Sequence, residues 1–261
     1  MSGKLTATIL TRNEAHNIGD CIASLADLAV QVIVLDSGST DATRDIARAR
    51  GAIVIEDNGT WPGFGPQKNR ALDHATGEWV LSIDADERIT PQLRTDILAA
   101  MHSASQTVFA MPRLSQFCGR FIRHAGWYPD PVMRLFRRGA ARFSDDLVHE
   151  KLVFSGATGM LAHPLLHYSY RDYSDVLRKI EAYSSAGARQ AFQAGKRATP
   201  SSALFHGVWA FVRTYVVQLG LLDGAQGFGV ACMNAQASYY KYIKLWHLAR
   251  TAQPRASDAH S

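Results

Sequence analysis

Short apolar runs alternate with segments of helical periodicity along the first 112 residues of the chain. Leu5 to Thr11 and Val30 to Leu35 are apolar and β-branched, as expected of strands, and apolar residues at helical spacing lie between them. The alternation recurs at Ala52 to Ile55 and Trp79 to Ile83. Strands and helices in this order predict right-handed crossovers and a mainly parallel sheet flanked by helices. The predicted fold class is doubly wound α/β.

Three of the predicted strands end in short polar and acidic residues. These segments are Thr11-Arg12-Asn13-Glu14, Asp36-Ser37-Gly38-Ser39-Thr40-Asp41 and Asp84-Ala85-Asp86-Glu87. The carboxyl ends of parallel strands open into the crevice where α/β proteins bind ligands, so we expect these residues to share a site. Asp84 and Asp86 at alternate positions suit a divalent cation that also contacts phosphate oxygens. The alternative is that the acids cap the turns and helices that follow.

Composition narrows the classes of partner. The formal charge of +5 and the isoelectric point of about 9.2 favour anionic partners, but the chain has no zinc-finger spacing and no basic block typical of nucleic-acid binding. Nucleic acid is therefore not an expected partner. The three cysteines lie far apart without a CxxC pair, which argues against disulfides and a cysteine-based zinc site. We expect a reducing, cytoplasmic environment, with no secretory signal in the N-terminal residues.

The second half of the chain has a different pattern. Gln116 to His149 is rich in Gly, Pro and aromatic residues and contains a strand-like run, Val132 to Phe136. Ser174 to Gln193 has helical spacing, and Gly195 to Ser202 is typical of a linker. Ala203 to Leu222 and Val230 to Arg250 then predict two amphipathic helices that carry basic and aromatic residues. Such helices suit the headgroup layer of an anionic bilayer, and they equally suit packing on a catalytic domain.

Four segments, in order, resemble the motifs of family 2 glycosyltransferases of the GT-A fold. The segments are Thr11-Arg12-Asn13-Glu14, Asp36 to Asp41, Gln67-Lys68-Asn69-Arg70 and Asp84-Ala85-Asp86-Glu87, and the resemblance covers roughly the first 150 residues. Trp127-Tyr128-Pro129-Asp130-Pro131, Val148-His149-Glu150 and the C-terminal helices are similar to the branch that contains lipopolysaccharide inner-core β-1,4-glucosyltransferases.

The resemblance implies a role for each motif. Asp36 would accept hydrogen bonds from uracil, Asp84 would face the ribose, and Asp86 would bind Mg²⁺ or Mn²⁺ against the diphosphate of a UDP-sugar donor. The metal would act as a Lewis acid on the leaving UDP. The complete implied donor-binding set is Thr11, Asn13, Glu14, Asp36, Ser39, Lys68, Arg70 and Asp84.

Inverting transfer also needs a general base for the acceptor hydroxyl. The place that matches the family's base holds His149-Glu150, so Glu150 is the first candidate, with Asp146 and Asp145 as rivals. His149 is a further candidate, either as the base or as a metal ligand. The alternative is that His149 and Glu150 are surface residues of a loop.

Other classes remain open at this stage. Asp84-Ala85-Asp86 also resembles the signature of Asp-x-Asp phosphotransferases and phosphatases, although Arg88 stands where that signature usually has Thr or Val. A membrane-docked nucleotide-sugar-binding protein without turnover is a second alternative. His163 and His167 are four residues apart, but Pro164 between them argues against a metal-binding helix face. Arg134, among the basic residues flanking Leu135 and Phe136, is a candidate for phosphate contact or a solvated strand edge.

The interpretation is a GT-A glycosyltransferase that acts as a peripheral protein on the cytoplasmic face of the inner membrane. Its expected donor is UDP-glucose and its expected acceptor is a heptose of the lipid-anchored lipopolysaccharide core, with inversion. Residues 1–112 are assigned to a nucleotide-sugar-binding half and 113–194 to the acceptor-binding and catalytic half of one domain. Residues 195–250 form a helical, membrane-docking or domain-packing segment, and 251–261 form a disordered tail.

Overall fold

Strands and helices alternate in the first half of the chain, as their periodicity predicts. The computed structural model describes residues 4–57, 59–102, 105–145 and 151–252. The elements of this half are β1 (Leu5–Thr11), α1 (Ile18–Ser24), β2 (Gln31–Asp36), α2 (Thr43–Ala49), β3 (Ile53–Glu56), α3 (Phe64–Asp73), β4 (Trp79–Asp84), β5 (Glu87–Arg88), α4 (Pro91–Ala100) and β6 (Val108–Phe117).

The second half adds short strands and then only helices. Its elements are β7 (Arg120–Phe121), β8 (Asp130–Arg137), β9 (Ala141–Phe143), β10 (Leu152–Phe154), β11 (Thr158–Met160), β12 (Leu165–Tyr170), α5 (Tyr173–Gln193), α6 (Pro200–Val212) and α7 (Gly224–Thr251). A π-helical turn (Arg213–Val217) and a 3-10 turn (Gly220–Asp223) join α6 to α7.

The main sheet has the strand order β3-β2-β1-β4-β8-β6-β12-β5. Strands β3, β2, β1 and β4 are parallel, and β8 then pairs antiparallel with both β4 and β6. The prediction of a doubly wound α/β sheet flanked by helices is therefore confirmed, and the sheet is mixed, with a parallel half and an antiparallel half. Strand β8 lies in the segment that was predicted to be loop-rich and contains its strand-like run Val132 to Phe136, as expected, whereas its antiparallel pairing with β4 and β6 was not predicted.

The chain divides into two units. One comprises residues 1–114 and 129–168, and the other comprises residues 115–128 and 169–261. The first unit has a core in which Trp79, Leu81 and Ile83 of β4 are fully buried, as expected for the central strand of a sheet covered on both faces. The division of the chain at residues 112, 194 and 250 stays a sequence-based prediction, and residues 253–261 of the predicted tail lie outside the described residues.

The second unit packs α5 and α7 around an aromatic cluster. Phe117 is buried there, and its ring contacts those of Trp127, Tyr170 and Tyr173 at centroid distances of 5.6–6.0 Å. The buried carboxylate of Asp223 accepts hydrogen bonds from the backbone N–H groups of Arg123 (3.3 Å) and His124 (2.8 Å). This carboxylate therefore fastens the 115–128 segment to the turn before α7.

Two boundaries in this unit differ from the prediction. The segment predicted to be a linker, Gly195 to Ser202, contains the start of α6. Thr199 is the N-cap residue of this helix and forms a capping box with Ser202, and Pro200 is its first residue. The predicted helix over Ala203 to Leu222 is interrupted instead of continuous. Leu219 adopts a left-handed backbone conformation (φ 58°), which ends the helical path that apolar periodicity alone would extend.

The Asp223 carboxylate provides a stability test. Asp223→Ala removes the acceptor for two backbone donors, and a loss of about 3 kcal/mol in the free energy of unfolding is expected from a buried charged acceptor. Asp223→Asn retains one oxygen acceptor and should lose less. Urea denaturation followed by tryptophan fluorescence measures both variants. Equal stability of wild type and Asp223→Ala would contradict the fastening role.

Candidate functional site

The polar ends of three parallel strands lie side by side at one edge of the sheet. In the strand register, Thr11 at the end of β1 stands beside Asp36 at the end of β2. On the other side of β1, Leu10 stands beside Asp84 at the end of β4. The sequence therefore brings the three predicted strand-end motifs together because β1 is the common neighbour of β2 and β4.

The loops after β1 and β2 are joined by hydrogen bonds between side chains and backbone. The N–H of Asn13 donates to Ser39 Oγ at 2.8 Å, and the N–H of Thr40 donates to Asn13 Oδ1 at 2.7 Å. Asn13 has a left-handed backbone (φ 57°), which an asparagine tolerates better than most residues. The N–H of Glu14 donates to Thr43 Oγ1 at 2.8 Å. These contacts give the two loops one shared conformation.

Asp36 is fully buried at the base of these loops. Its carboxylate accepts the N–H of Ser39 at 2.9 Å and the Ser39 hydroxyl, and Arg44 Nε lies 3.9 Å from it. A carboxylate bonded in this way orders the 37–40 turn from within. The nucleoside-binding role implied for Asp36 and Ser39 stays a prediction, and here the two residues hold each other.

Asp57, after β3, adds a carboxylate that the sequence motifs did not single out. Its N–H donates to the Asp36 carbonyl at 2.8 Å, and its side chain accepts from the amide of Gln67 at 3.0 Å and from Arg70. The N–H of Gly59, together with Gln67 and Arg70, lowers the pKa of Asp57. Arg70, a member of the implied donor-binding set, is thus paired with Asp57.

A buried ion cluster occupies the end of β4. Arg134 of β8 is buried, and its guanidinium contacts Asp84 and donates to Glu87 Oε1 at 2.8 Å. Arg113 of β6 lies 3.7 Å from the same Glu87 oxygen, and Lys68 Nζ lies 3.4 Å from Asp84 Oδ1. Glu87 also accepts the N–H of Asp84 at 2.9 Å. Each buried charge in the cluster therefore has a partner of opposite sign, as burial requires.

The charges in this cluster shift the protonation of its carboxylates. Burial opposes ionisation of Asp84, but the positive charges of Arg134 and Lys68 outweigh it and hold the pKa of Asp84 well below its usual range. Burial raises the pKa of Glu87, and Arg134 opposes that rise. Asp84 consequently stays ionised at neutral pH, with one-third of its side chain exposed.

Asp86 lies two residues after Asp84 and faces a histidine. Asp86 Oδ2 is 3.3 Å from Nε2 of His167 on β12, and the Asp86 carbonyl accepts the N–H of Tyr168 at 2.8 Å. Both side chains are partly exposed. Within the described residues there is no group of three or more His, Cys, Asp or Glu side chains that could hold a metal ion. Asp86 and His167 thus offer an incomplete donor set that a bound phosphate would have to extend.

A cavity of about 450 Å³ opens beside the ion cluster. This volume is in the range of small-molecule sites. Asp84 is the acidic residue of its wall, and four cationic side chains line it. Lys68 and Arg134 face Asp84, and Arg113 donates to Asp130 at 2.6 Å, so Lys151 is the lining cation without an ion pair among the described residues. The lining residues are Lys68, Asp84, Arg113, Val132, Met133, Arg134, Phe143, Lys151 and Leu152. The cavity is therefore suited to an anionic ligand.

The side-chain hydroxyl of Thr11 is a buried polar group without a hydrogen-bond partner among the described residues. Buried hydroxyls are nearly always bonded, and an exception at a strand end beside loops of this kind fits a group completed by a ligand.

The structure does not test every predicted site residue. It brings Thr11, Asn13, Glu14, Asp36, Ser39, Lys68, Arg70, Asp84 and Asp86 to the same edge of the sheet. The candidate bases Asp146, His149 and Glu150 lie outside the described residues. Asp145 is described, and it is exposed at the end of the segment after β9.

Sequence reasoning gave no separate role in the site to three residues, of which Glu87 belonged to the predicted acidic motif. Arg113 and Glu87 complete the ion cluster, and His167 faces Asp86. His167 was considered only as a member of a helix face, whereas it lies on β12. Its strand, next to the two-residue β5, has a register that no local pattern specifies. An alternating polar pattern over Leu165–Tyr170 was the available signal.

Two glycosyltransferases are similar to this chain over most of its length. The lipopolysaccharide core biosynthesis glycosyltransferase LpsC of Rhizobium meliloti is 30% identical over 268 residues, which cover 98% of this chain and 97% of LpsC. An uncharacterized glycosyltransferase of Rickettsia prowazekii is 27% identical over 262 residues, which cover 96% of this chain and 89% of the relative.

A solved glucosyl-3-phosphoglycerate synthase of Mycobacterium tuberculosis, in complex with Mn²⁺, UDP and glucosyl-3-phosphoglycerate, aligns with 44% of this chain and 44% of its own. The identity is 28% and the TM-score is 0.37, which is too low to support an inference about the site. The model of the family "Glycosyl transferase family 2" matches residues 6–156. This match spans more than half of the chain, and the chain belongs to glycosyltransferase family 2.

Proposed function

We propose that this glycosyltransferase transfers glucose from UDP-glucose, with inversion, to a heptose of the lipopolysaccharide inner core. The observation that carries the proposal is the cation-lined cavity at the strand-end edge, with Asp84 in its wall and the Asp86–His167 pair next to it in the chain. The similarity to LpsC over nearly the whole chain supports a lipopolysaccharide core acceptor. Glucose and the heptose position rest on the resemblance of the motifs alone.

The donor would lie along the edge formed by β2, β1 and β4. Asp36, Thr11 and the joined loops around Asn13 would hold the nucleoside, and the free Thr11 hydroxyl would gain a partner. Asp84 would accept a ribose hydroxyl, since it stays ionised and one-third exposed. Lys68 lies in the cavity wall, where its charge would attract the diphosphate.

The residues present fit a divalent cation whose coordination is completed by the phosphates of the donor. Asp86 supplies a carboxylate and His167 an imidazole, and Mg²⁺ or Mn²⁺ sites commonly use few protein ligands together with substrate phosphates. When bound, the ion would stabilise the negative charge that develops on the UDP leaving group. Asp86, between β4 and β5, and His167, on β12, would hold the ion.

Inversion needs a base on the acceptor side of the sugar. Glu150, with Asp146 and His149 as alternatives, would take the proton from the attacking heptose hydroxyl while the glycosidic bond to UDP breaks. All three lie between β9 and β10, whose residues Phe143 and Leu152 line the cavity. Their position in the sequence, between two residues that line the cavity, supports one of them as the base.

The acceptor is anchored in a membrane, so we place the enzyme as a peripheral protein on the cytoplasmic face of the inner membrane. Among the described residues, no single helix is long and apolar enough to cross a membrane. The segments Pro200–Val217 and Gly220–Thr251, bent by 72° with respect to each other, meet these criteria only as a pair.

A transfer assay tests the proposed reaction. The purified chain, Mn²⁺, UDP-glucose and a heptose-terminated core acceptor should release UDP and give a β-linked product by NMR. In a thermal-shift panel of UDP-sugars, the true donor at 100-fold excess over its Kd should add about 3 kcal/mol of stability. UDP binding without turnover would instead favour a non-catalytic binding protein, and phosphate release from simple esters would favour a phosphotransferase.

Substitution of the Asp86–His167 pair tests the metal site. Asp86→Asn and His167→Gln should each lower kcat by about 100-fold or more, because loss of metal-held charge stabilisation costs several kcal/mol in the transition state. Each should also abolish the additional thermal stabilisation that Mn²⁺ gives in the presence of UDP.

His163→Gln is the matched control, since His163 contacts Asp96 and is half exposed away from this pair. It should retain wild-type kcat and Mn²⁺ response. Normal activity and normal Mn²⁺ response in Asp86→Asn would contradict the proposed metal role.

A further inference from the structure

Helix α6 buries small residues and exposes its large apolar side chains, the reverse of what is usual for a pair of helices in water. Ala203 and Gly207 are its buried residues, and a Cβ on Gly207 would lie 3.1 Å from Cβ of Tyr239 on α7. Small residues therefore make the close contact between the two helices. Leu204, Phe205 and Trp209 point away from it and are 61%, 67% and 51% exposed. Small residues between helices and large apolar residues outside are typical of helices that pack in lipid.

The exposed apolar residues continue beyond α6. On the helix they fall at spacings of three and four, which makes one stripe, and the stripe leads into the turns before α7. Its residues are Leu204, Phe205, Val208, Trp209, Val212, Val216, Val217, Leu219, Leu221, Leu222 and Phe228, and this set is called the apolar ridge below. An exposed patch of this extent indicates an interaction surface.

The sequence stretch that contains the apolar ridge is rich in basic residues. Between Glu181 and Asp258 the sequence has one acidic residue, Asp223, and that side chain is buried against the 115–128 segment. The same stretch carries seven basic residues in its described part, namely Arg189, Lys196, Arg197, Arg213, Lys241, Lys244 and Arg250. Lys244 pairs with the exposed Glu181 of α5, and the other six cations supply an excess of positive charge that is complementary to an anionic bilayer rather than to a neutral one.

A pocket of about 490 Å³ lies beside the apolar ridge, between α5, α6 and α7. Arg213 and Lys241 line it, and neither forms an ion pair with an acidic side chain within the part of the chain that is described. The rings of His206 and Tyr242 stack in its wall with centroids 3.8 Å apart. Trp209 belongs both to this wall and to the apolar ridge, and amphipathic rings of this type favour the headgroup layer.

We infer that this pocket holds the phosphodiester headgroup of an anionic phospholipid while the apolar ridge inserts into the same leaflet. Arg213 and Lys241 would neutralise the phosphate, and Phe205 and Trp209 would enter the acyl boundary below it. A helix pair bent by 72° suits such interfacial insertion, because both segments can lie near the membrane plane. The inference rests on the proposed membrane location but involves no residue assigned to donor binding or catalysis.

Vesicle co-sedimentation of the full chain tests the headgroup pocket. Wild type should bind vesicles containing phosphatidylglycerol far better than pure phosphatidylcholine, with a steep loss at high salt. The double variant Arg213→Gln/Lys241→Gln should lower partitioning by about 30-fold, since each cation near an anionic surface contributes a factor of about five. Phe205→Ser/Trp209→Ser should lower partitioning by at least about 10-fold through lost apolar insertion.

Lys4→Gln/Arg50→Gln is the charge-matched control, because both residues are exposed in the other unit and outside this patch. An equal loss in the control and the pocket variant would overturn the pocket and indicate diffuse charge attraction. Absence of wild-type binding to anionic vesicles would overturn the inference as a whole. If wild type is a dimer, and the Phe205→Ser/Trp209→Ser variant is a monomer that binds vesicles as well as wild type, the apolar ridge contacts a second copy of the chain and not the membrane.

Two measurements keep this test independent of folding defects and of the proposed reaction. Brominated acyl chains should quench wild-type tryptophan fluorescence more than that of Trp209→Phe, and equal quenching would contradict insertion at Trp209. UDP-induced thermal stabilisation should be unchanged in every variant. If vesicle binding fails while UDP stabilisation and turnover persist, the headgroup inference and the membrane location fail and the proposed reaction stands. Absence of UDP stabilisation in wild type would instead refute the proposed reaction.

Discussion

The buried guanidinium of Arg134 between Asp84 and Glu87 is the interaction on which the candidate site depends. It joins β8 to the end of β4, so the antiparallel half of the sheet and the parallel half meet at one charged cluster. Without Arg134 two carboxylates would be left close together in a largely buried place, which is a costly arrangement. With it, Asp84 stays ionised and forms part of the wall of a cavity whose other charged lining residues are cations.

Local sequence patterns predicted the parallel half of the fold and the meeting of the strand-end motifs. Apolar runs and polar strand ends depend on short-range spacing, and parallel order then places Asp36 and Asp84 on either side of β1. The partners of these residues were harder to predict. Arg134 could be assigned only to phosphate contact or a solvated edge, because its burial depends on the pairing of β8 with β4, which local periodicity does not encode.

The same limit applies to the metal pair and to the helices. His167 reaches Asp86 through the antiparallel pairing of β12 with β5, and the pairing of strands so distant in sequence leaves no local signal. In the second unit, apolar content predicted α6, but hydropathy does not tell which face is covered. Only the packing of Gly207 against α7 shows that the large side chains are the exposed ones. A donor edge and an outward apolar ridge are therefore described in separate units of one chain.

The central claim is that a nucleoside diphosphate binds where the ends of β1, β2 and β4 meet. Hydrogen–deuterium exchange with and without UDP and Mn²⁺ tests it most directly, because it reports protection along the whole backbone. The account predicts slower exchange in peptides that contain Thr11 to Asn13, Asp36 to Ser39 and Asp84 to Arg88, with α6 and α7 unchanged. Protection confined to other segments, or none at saturating UDP and Mn²⁺, would contradict the account.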